Sequence, residues 1–145
     1  MQVTALPTLI PASSTTPSTG IELSKLAARP NRNRLVGTIQ QLASIGAKPD
    51  GSVCRRGFSA EDVHGRELLA HWMKQLGMQV RVDAAGNLIG RLEGLDPHRP
   101  ALVTGSHLDT VPTGGRFDGA LGVLAGLEAC RALQDQDLKL RHGIE

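Results

Sequence analysis

With 145 residues, 16 basic against 14 acidic side chains and a net charge of +2, the chain has the size of one ordinary domain and no charge excess to argue for a nucleic-acid partner. Nothing in it approaches the run of about 20 apolar residues that spans a membrane. Its two cysteines, Cys54 and Cys130, are far apart and in unlike settings, which excludes a disulfide framework and fits a reducing, cytoplasmic interior.

In chain order, residues 1–20 are rich in Thr, Ser and Pro and carry no charge. They have neither the basic start and apolar core of a secretory signal nor the arginines of a mitochondrial presequence, and read as a disordered leader. Residues 21–145 follow as one unit. Ile21–Ala28 has the pattern of a short amphipathic helix that Pro30 stops. From Asn31 or Asn33, Leu35, Ile39 and Leu42, flanked by Val36, Ala43 and Ile45, recur at helical spacing until Gly46. Residues 48–52 are turn-rich. Arg55 and Arg56, beside Cys54, are expected to be solvated loop arginines rather than an anion site.

Ser59 followed by Glu61 and Asp62 predicts a capped helix with a favourable acidic first turn, which Gly77 ends. Leu68, Leu69, Trp72, Met73 and Leu76 form its apolar face. His64 and His71 are assigned to its surface, since no carboxylate-rich stretch accompanies them. Residues 78–83 and 87–92 alternate with period two around a turn at 84–86, a hairpin in which Asp83 and Asn87 stabilise the turn. His98 falls in an exposed, Pro-flanked loop. Ala101–Thr104 is short and apolar and predicts a third strand, with the second hairpin strand near it. From Gly119 to Leu133 the pattern is helical again. Gly119, Gly122 and Gly126 each weaken a helix by up to about 1 kcal/mol relative to alanine, so they predict close packing against the sheet.

The chemistry concentrates at 104–119. His107 and Asp109 stand two apart at the end of the third strand, so in extended chain they point the same way. Asp118 closes a Gly-rich loop just before the last helix, whose unpaired amides favour a charged carboxylate. Imidazole and carboxylate are donors for Zn, Mn, Co or Ni, and a second carboxylate beside a ligating His commonly fixes its tautomer. His107 and Asp118 are therefore the expected metal ligands, and Asp109, as orienter, is assigned to the catalytic group. Spacing alone leaves open a plainer alternative, in which His107 caps a backbone carbonyl and Asp118 caps the helix. A phosphate-cradling role for the glycines is disfavoured because no P-loop lysine follows.

The run GSHLDTVPTGGRFDGALGVLAGLEA resembles the metal loop of binuclear-metal amidohydrolases related to aminoacylases and carboxypeptidases. It is most similar to the branch of N-carbamoyl-L-amino-acid hydrolase, β-ureidopropionase and allantoate amidohydrolase. GFSAEDVHGRELLAHWMKQLGMQVRVDAAGNLIGRLEG and IQQLASIGAKPDGSVCR resemble the same branch in the same order, so the likeness runs from about Asn31 to Glu145. It implies an α/β fold, the N-terminal portion of a mixed-sheet di-metal catalytic domain in α-α-β-β-β-α order with its sheet incomplete. The lid and dimerisation domain and the rest of the catalytic domain would be absent.

The activity so implied is hydrolysis of a linear amide or ureido C–N bond with two divalent ions, which activate water and polarise the carbonyl while a glutamate moves the proton. The substrate would be a small ureido or carbamoyl compound. VPTGGRFDG favours carbamoyl amino acids over allantoate, with a dipeptidase-like hydrolase as a further alternative. Of the family's metal ligands only His107 and Asp118 are matched, and the paired glutamates and later histidines are not. The expectation is weak or no metal binding and no turnover by this chain alone. Family members are homodimers, and here a second chain would complement the missing part, unless the chain is a catalytically silent product. Exposed apolar surface is expected along the uncovered sheet.

Overall fold

The computed structural model describes residues 29–145, in the order α1 (Arg32–Ser44), α2 (Ala60–Gln75), β1 (Gln79–Val82), β2 (Leu88–Arg91) and α3 (Ala120–Gln134). The leader and Ile21–Ala28 lie outside the described residues. Asn31 caps α1 by accepting the Arg34 N–H at 3.1 Å. Ser59 caps α2 through the Asp62 N–H at 3.3 Å, and the Asp62 carboxylate reaches back to the Phe58 N–H at 3.0 Å, a reciprocal arrangement that satisfies two otherwise orphan donors.

The apolar stripes read from the sequence meet in one core: Ile39 and Leu42 from α1, Leu69 and Trp72 from α2, Leu124 and Leu127 from α3. Helices α1 and α3 are also joined through Glu128, whose side chain is 1% exposed. It accepts the Asn31 N–H at 2.7 Å and Arg34 Nε and Nη2, each at 2.8 Å. Burial opposes its ionisation, but Arg34 and the Asn31 amide prevail and hold the carboxyl below its usual range.

The hairpin pairs Gln79 with Arg91 through Val82 with Leu88, antiparallel. Its turn is tied as expected, with Asp83 Oδ1 accepting the Asn87 N–H at 2.8 Å and Asp83 Oδ2 accepting from Asn87 Nδ2 at 2.9 Å. The third strand is not formed as predicted, and the observed order among the described residues is α-α-β-β-α. Residues 101–104 are extended but make one bridge only, Leu102 to Ile144, parallel. The second hairpin strand does lie near them, one row away, because Ile144 also bridges antiparallel to Leu92 and so stands between the two. The Leu102 and Thr104 N–H groups donate to Gly143 and Glu145, and the Glu145 N–H donates to Leu102, each at 2.8 Å, a ladder too short to make a strand. Leu102 is 51% and Val103 81% exposed, the open apolar edge that an incomplete sheet predicts.

Candidate functional site

The stretch 105–119 hangs between the start of α3 and the loop leading into α2. Val53 and Gly114 exchange backbone hydrogen bonds at 2.9 and 3.0 Å. One step on, the Thr110 N–H donates to the Arg55 carbonyl at 2.7 Å, and the Arg55 N–H donates to Thr110 Oγ1 at 2.8 Å. These ties hold the loop on the protein body rather than leaving it free.

Arg55 corrects the expectation of a solvated arginine. Arg56 is exposed as expected, but Arg55 is 2% exposed. Its Nε donates to the Leu108 carbonyl at 2.9 Å, and its Nη1 donates to the carbonyls of Leu42 at 3.0 Å and Ile45 at 3.1 Å. Burial pushes its pKa down, against the opposing pull of Asp62 and Asp109. Space for the side chain comes from Gly65 in α2, where a Cβ would lie 2.8 Å from Arg55 Cδ. That mid-helix glycine was the one signal in the sequence of something bulky packed against α2.

His107, Asp109 and Asp118 are brought together. His107 Nδ1 lies 2.9 Å from the backbone oxygen of Asp109 and 3.5 Å from its Oδ1, and His107 Nε2 faces Asp118 Oδ1 at 3.8 Å. The orienting partner is thus chiefly the main chain of Asp109. Because that partner only accepts, Nδ1 carries a proton, and Nε2 is the ring nitrogen that faces Asp118. Asp118 does not cap the helix: the N-cap is Gly119, with no side-chain cap bond.

Gly119 is what permits the approach. Its φ is +64°, and a Cβ there would lie 2.4 Å from the His107 carbonyl oxygen and 2.5 Å from Nδ1 and Cε1. Gly122 and Gly126 are closely approached, but by Ser106 and Thr104 of the strandless segment 103–110 rather than by the two-stranded sheet they were expected to pack on. His64, His71 and His98 are exposed and stand apart from the pair.

The side chains of His107, Asp109 and Asp118 are 51%, 52% and 61% exposed, open enough to take a ligand from solution. A tetrahedral ion with bonds of about 2.0–2.1 Å holds its donors roughly 3.4 Å apart, so the 3.8 Å pair needs only a few tenths of an ångström to close on one. The donor types and facing geometry fit half of a metal's shell. Among the described residues, no group of three His, Cys, Asp or Glu is arranged to hold an ion. Beside the pair a cleft of about 510 Å³ opens, lined among others by Asp62, Arg66, Ile89, Val103 and Asp109. Also among the described residues, no helix is long and apolar enough to cross a membrane.

Known proteins are similar to this arrangement in sequence and in shape. Residues 87–145 match the family model described as Peptidase family M28. An N-carbamoyl-L-amino acid amidohydrolase of Geobacillus stearothermophilus is 44% identical over 112 residues, which are 77% of this chain and 27% of that protein. A ureidoglycolate hydrolase of Arabidopsis thaliana is 38% identical over 111 residues, 77% of this chain and 23% of that one. The crystal structure of a hydantoinase/carbamoylase family amidase from Burkholderia ambifaria superposes with a TM-score of 0.76 at 46% identity, covering 77% of this chain and 28% of that chain. The chain therefore spans about a quarter of the length of the curated relatives it matches.

Proposed function

We propose, from the premise that this chain belongs to the family of N-carbamoyl-L-amino-acid amidohydrolases and ureidoglycolate hydrolases and corresponds to their N-terminal part, that His107 and Asp118 are two ligands of a divalent-metal centre hydrolysing a carbamoyl or ureido C–N bond. The observation that carries this is the pair itself, with Nε2 of His107 facing Asp118 at 3.8 Å while Nδ1 is taken up by Asp109. Divalent ions, as Zn, Mn, Co or Ni, would supply a polarised carbonyl and an activated water at neutral pH. His107 would bind through Nε2, Asp118 has two oxygens and so suits a position shared between two ions, and Asp109 holds the ring in place.

The cleft of about 510 Å³ has the volume of a small-molecule site. N-Carbamoyl-L-amino acids are the favoured substrates on the VPTGGRFDG form of the loop, and a relative named for them is 44% identical. A peptidase reading has the family match over 87–145 in its favour. Residues 21–145 would be the N-terminal part of a cytoplasmic catalytic domain, completed by a further segment or a complementing chain and paired as a homodimer. Among the described residues no group of three such side chains is arranged to hold an ion, and the remaining ligands would come from that remainder.

A chimera tests the reading. Residues 31–145 replace the matching part of the Geobacillus relative, and hydrolysis of N-carbamoyl-L-amino acids is assayed. An active chimera that His107→Ala and Asp118→Asn each silence, while remaining folded, is the expected result. Full activity in either variant overturns the ligand assignment.

A further inference from the structure

We propose that Arg55 is a positioning residue that grips the two peptide units flanking Asp109 and thereby fixes which nitrogen of His107 faces Asp118. The first unit, between Leu108 and Asp109, is held by its carbonyl, which accepts from Arg55 Nε at 2.9 Å. The second, between Asp109 and Thr110, is held by its N–H, which donates to the Arg55 carbonyl at 2.7 Å. The oxygen of that second unit is the one that takes His107 Nδ1 at 2.9 Å. With both planes fixed, the acceptor for Nδ1 cannot swing away.

The far side of the guanidinium is anchored in turn. Its Nη1 donates to the carbonyl of Leu42, in the last turn of α1, and to that of its C-cap Ile45, a helix end that carries partial negative charge; the Leu42 oxygen also takes the Ile45 N–H at 3.2 Å. One planar fork therefore joins a rigid helix end to the site loop, a span that the single ammonium of lysine cannot reproduce. Leu108 itself is 9% exposed and packs in the core, so the backbone between His107 and Asp109 is held from both its side chain and its carbonyl. The proposal deepens the reading of His107 as a ligand, but its test needs no metal.

In the full chain labelled with ¹⁵N-histidine, long-range ¹H–¹⁵N spectra, recorded on the alkaline plateau where the ring signals no longer move with pH, report the neutral tautomers. His107→Gln identifies the His107 signal. The wild type is expected to show the Nδ1–H form, and Arg55→Lys to shift the ratio toward Nε2–H by roughly five-fold, the scale of one hydrogen bond. Arg34→Met, which breaks the Glu128 cluster, controls for general loosening and should leave the ratio unchanged.

An unchanged ratio in Arg55→Lys, or an equal shift in Arg34→Met, overturns the proposal. Should Arg55→Lys fail to fold, Gly65→Ala displaces the same side chain and is judged by the same outcomes. A separate Co²⁺ titration of wild type and His107→Ala tests the metal reading, so either idea can fail without the other.

Discussion

Replacing Gly119 by alanine tests how closely the start of α3 is fitted to His107. The backbone there has φ +64° and ψ −51°, outside the left-handed helical well, and placing an L side chain in such a sparsely populated conformation costs about 1–3 kcal/mol. The new Cβ would also stand 2.4 Å from the His107 carbonyl oxygen and 2.5 Å from two ring atoms. A ring can rotate, but a carbonyl moves only with its chain, so the loop must retreat by roughly 1 Å, an overpacking cost of about 1–3 kcal/mol. Together these give about 2–6 kcal/mol, or a fall in Tm of about 8–24 °C for a domain of this size. Calorimetry on wild type, Gly119→Ala and Gly115→Ala measures it. Gly115 lies in the same loop with nothing within 4 Å of its would-be Cβ, so its variant should stay within about 0.5 kcal/mol of wild type. Co²⁺ binding should weaken in Gly119→Ala alone. A Gly119→Ala protein melting within about 2 °C of wild type would refute the fit.

The Glu128 cluster should be the main acid-labile link between α1 and α3. Glu128→Gln should lose about 1–2 kcal/mol near neutral pH, because charge-assisted bonds at the buried Glu128 become neutral ones, while the partly exposed Arg34 keeps its 2.7 Å bond to Asp135. Since the folded carboxyl titrates below its unfolded value of about 4.3, the advantage of glutamate is present above that value and is lost as pH falls through the folded one. A Tm gap between wild type and variant that stays constant down to about pH 3 would contradict this. Thiol labelling should separate the cysteines: Cys130 is 2% exposed with its pKa raised by burial, and only the half-buried Cys54 should react before denaturant is added. Gly90→Ala and Gly94→Ala make a paired test by urea unfolding. A Cβ at Gly90 meets the flexible Met73 side chain at 2.7 Å, for about 1 kcal/mol, whereas one at Gly94 meets backbone of 141–143 at 2.4–2.6 Å and should cost more than about 3 kcal/mol. Equal losses would show that the neighbours yield alike.

The three helices and the hairpin were legible because their signals are local. Leu35, Ile39 and Leu42 report a buried stripe through their spacing, and Asp83 with Asn87 reports a turn through its own hydrogen bonds. The strand at 101–104 was not legible in this way. Its apolar residues are present, but whether they make a ladder depends on a distant partner, and Leu102 finds only Ile144. The juxtaposition of His107 and Asp118 followed from spacing and a Gly-rich loop. That a backbone oxygen rather than a carboxylate holds the ring depends on the exact path of the loop, to which residue types are blind. Arg55 was misread because arginine in a loop is usually exposed. Only the carbonyls of Leu42, Ile45 and Leu108, from two remote segments, make its burial tolerable.

The position of Ile144 between Leu92 and Leu102 has a consequence for biosynthesis. The row that joins the hairpin to the site-bearing segment is translated after both of its neighbours. The 42 residues separating Leu102 from Ile144 take about 2–8 s to synthesise at typical rates, far longer than a helix or hairpin needs to form. Throughout that interval Leu102 and Val103 emerge with their backbone unpaired, and closure of this sheet depends on a contact of high sequence separation. From the time residues 105–119 have been made until residues 143–145 arrive, the nascent chain therefore carries that loop on an unbridged segment that is open to misassociation.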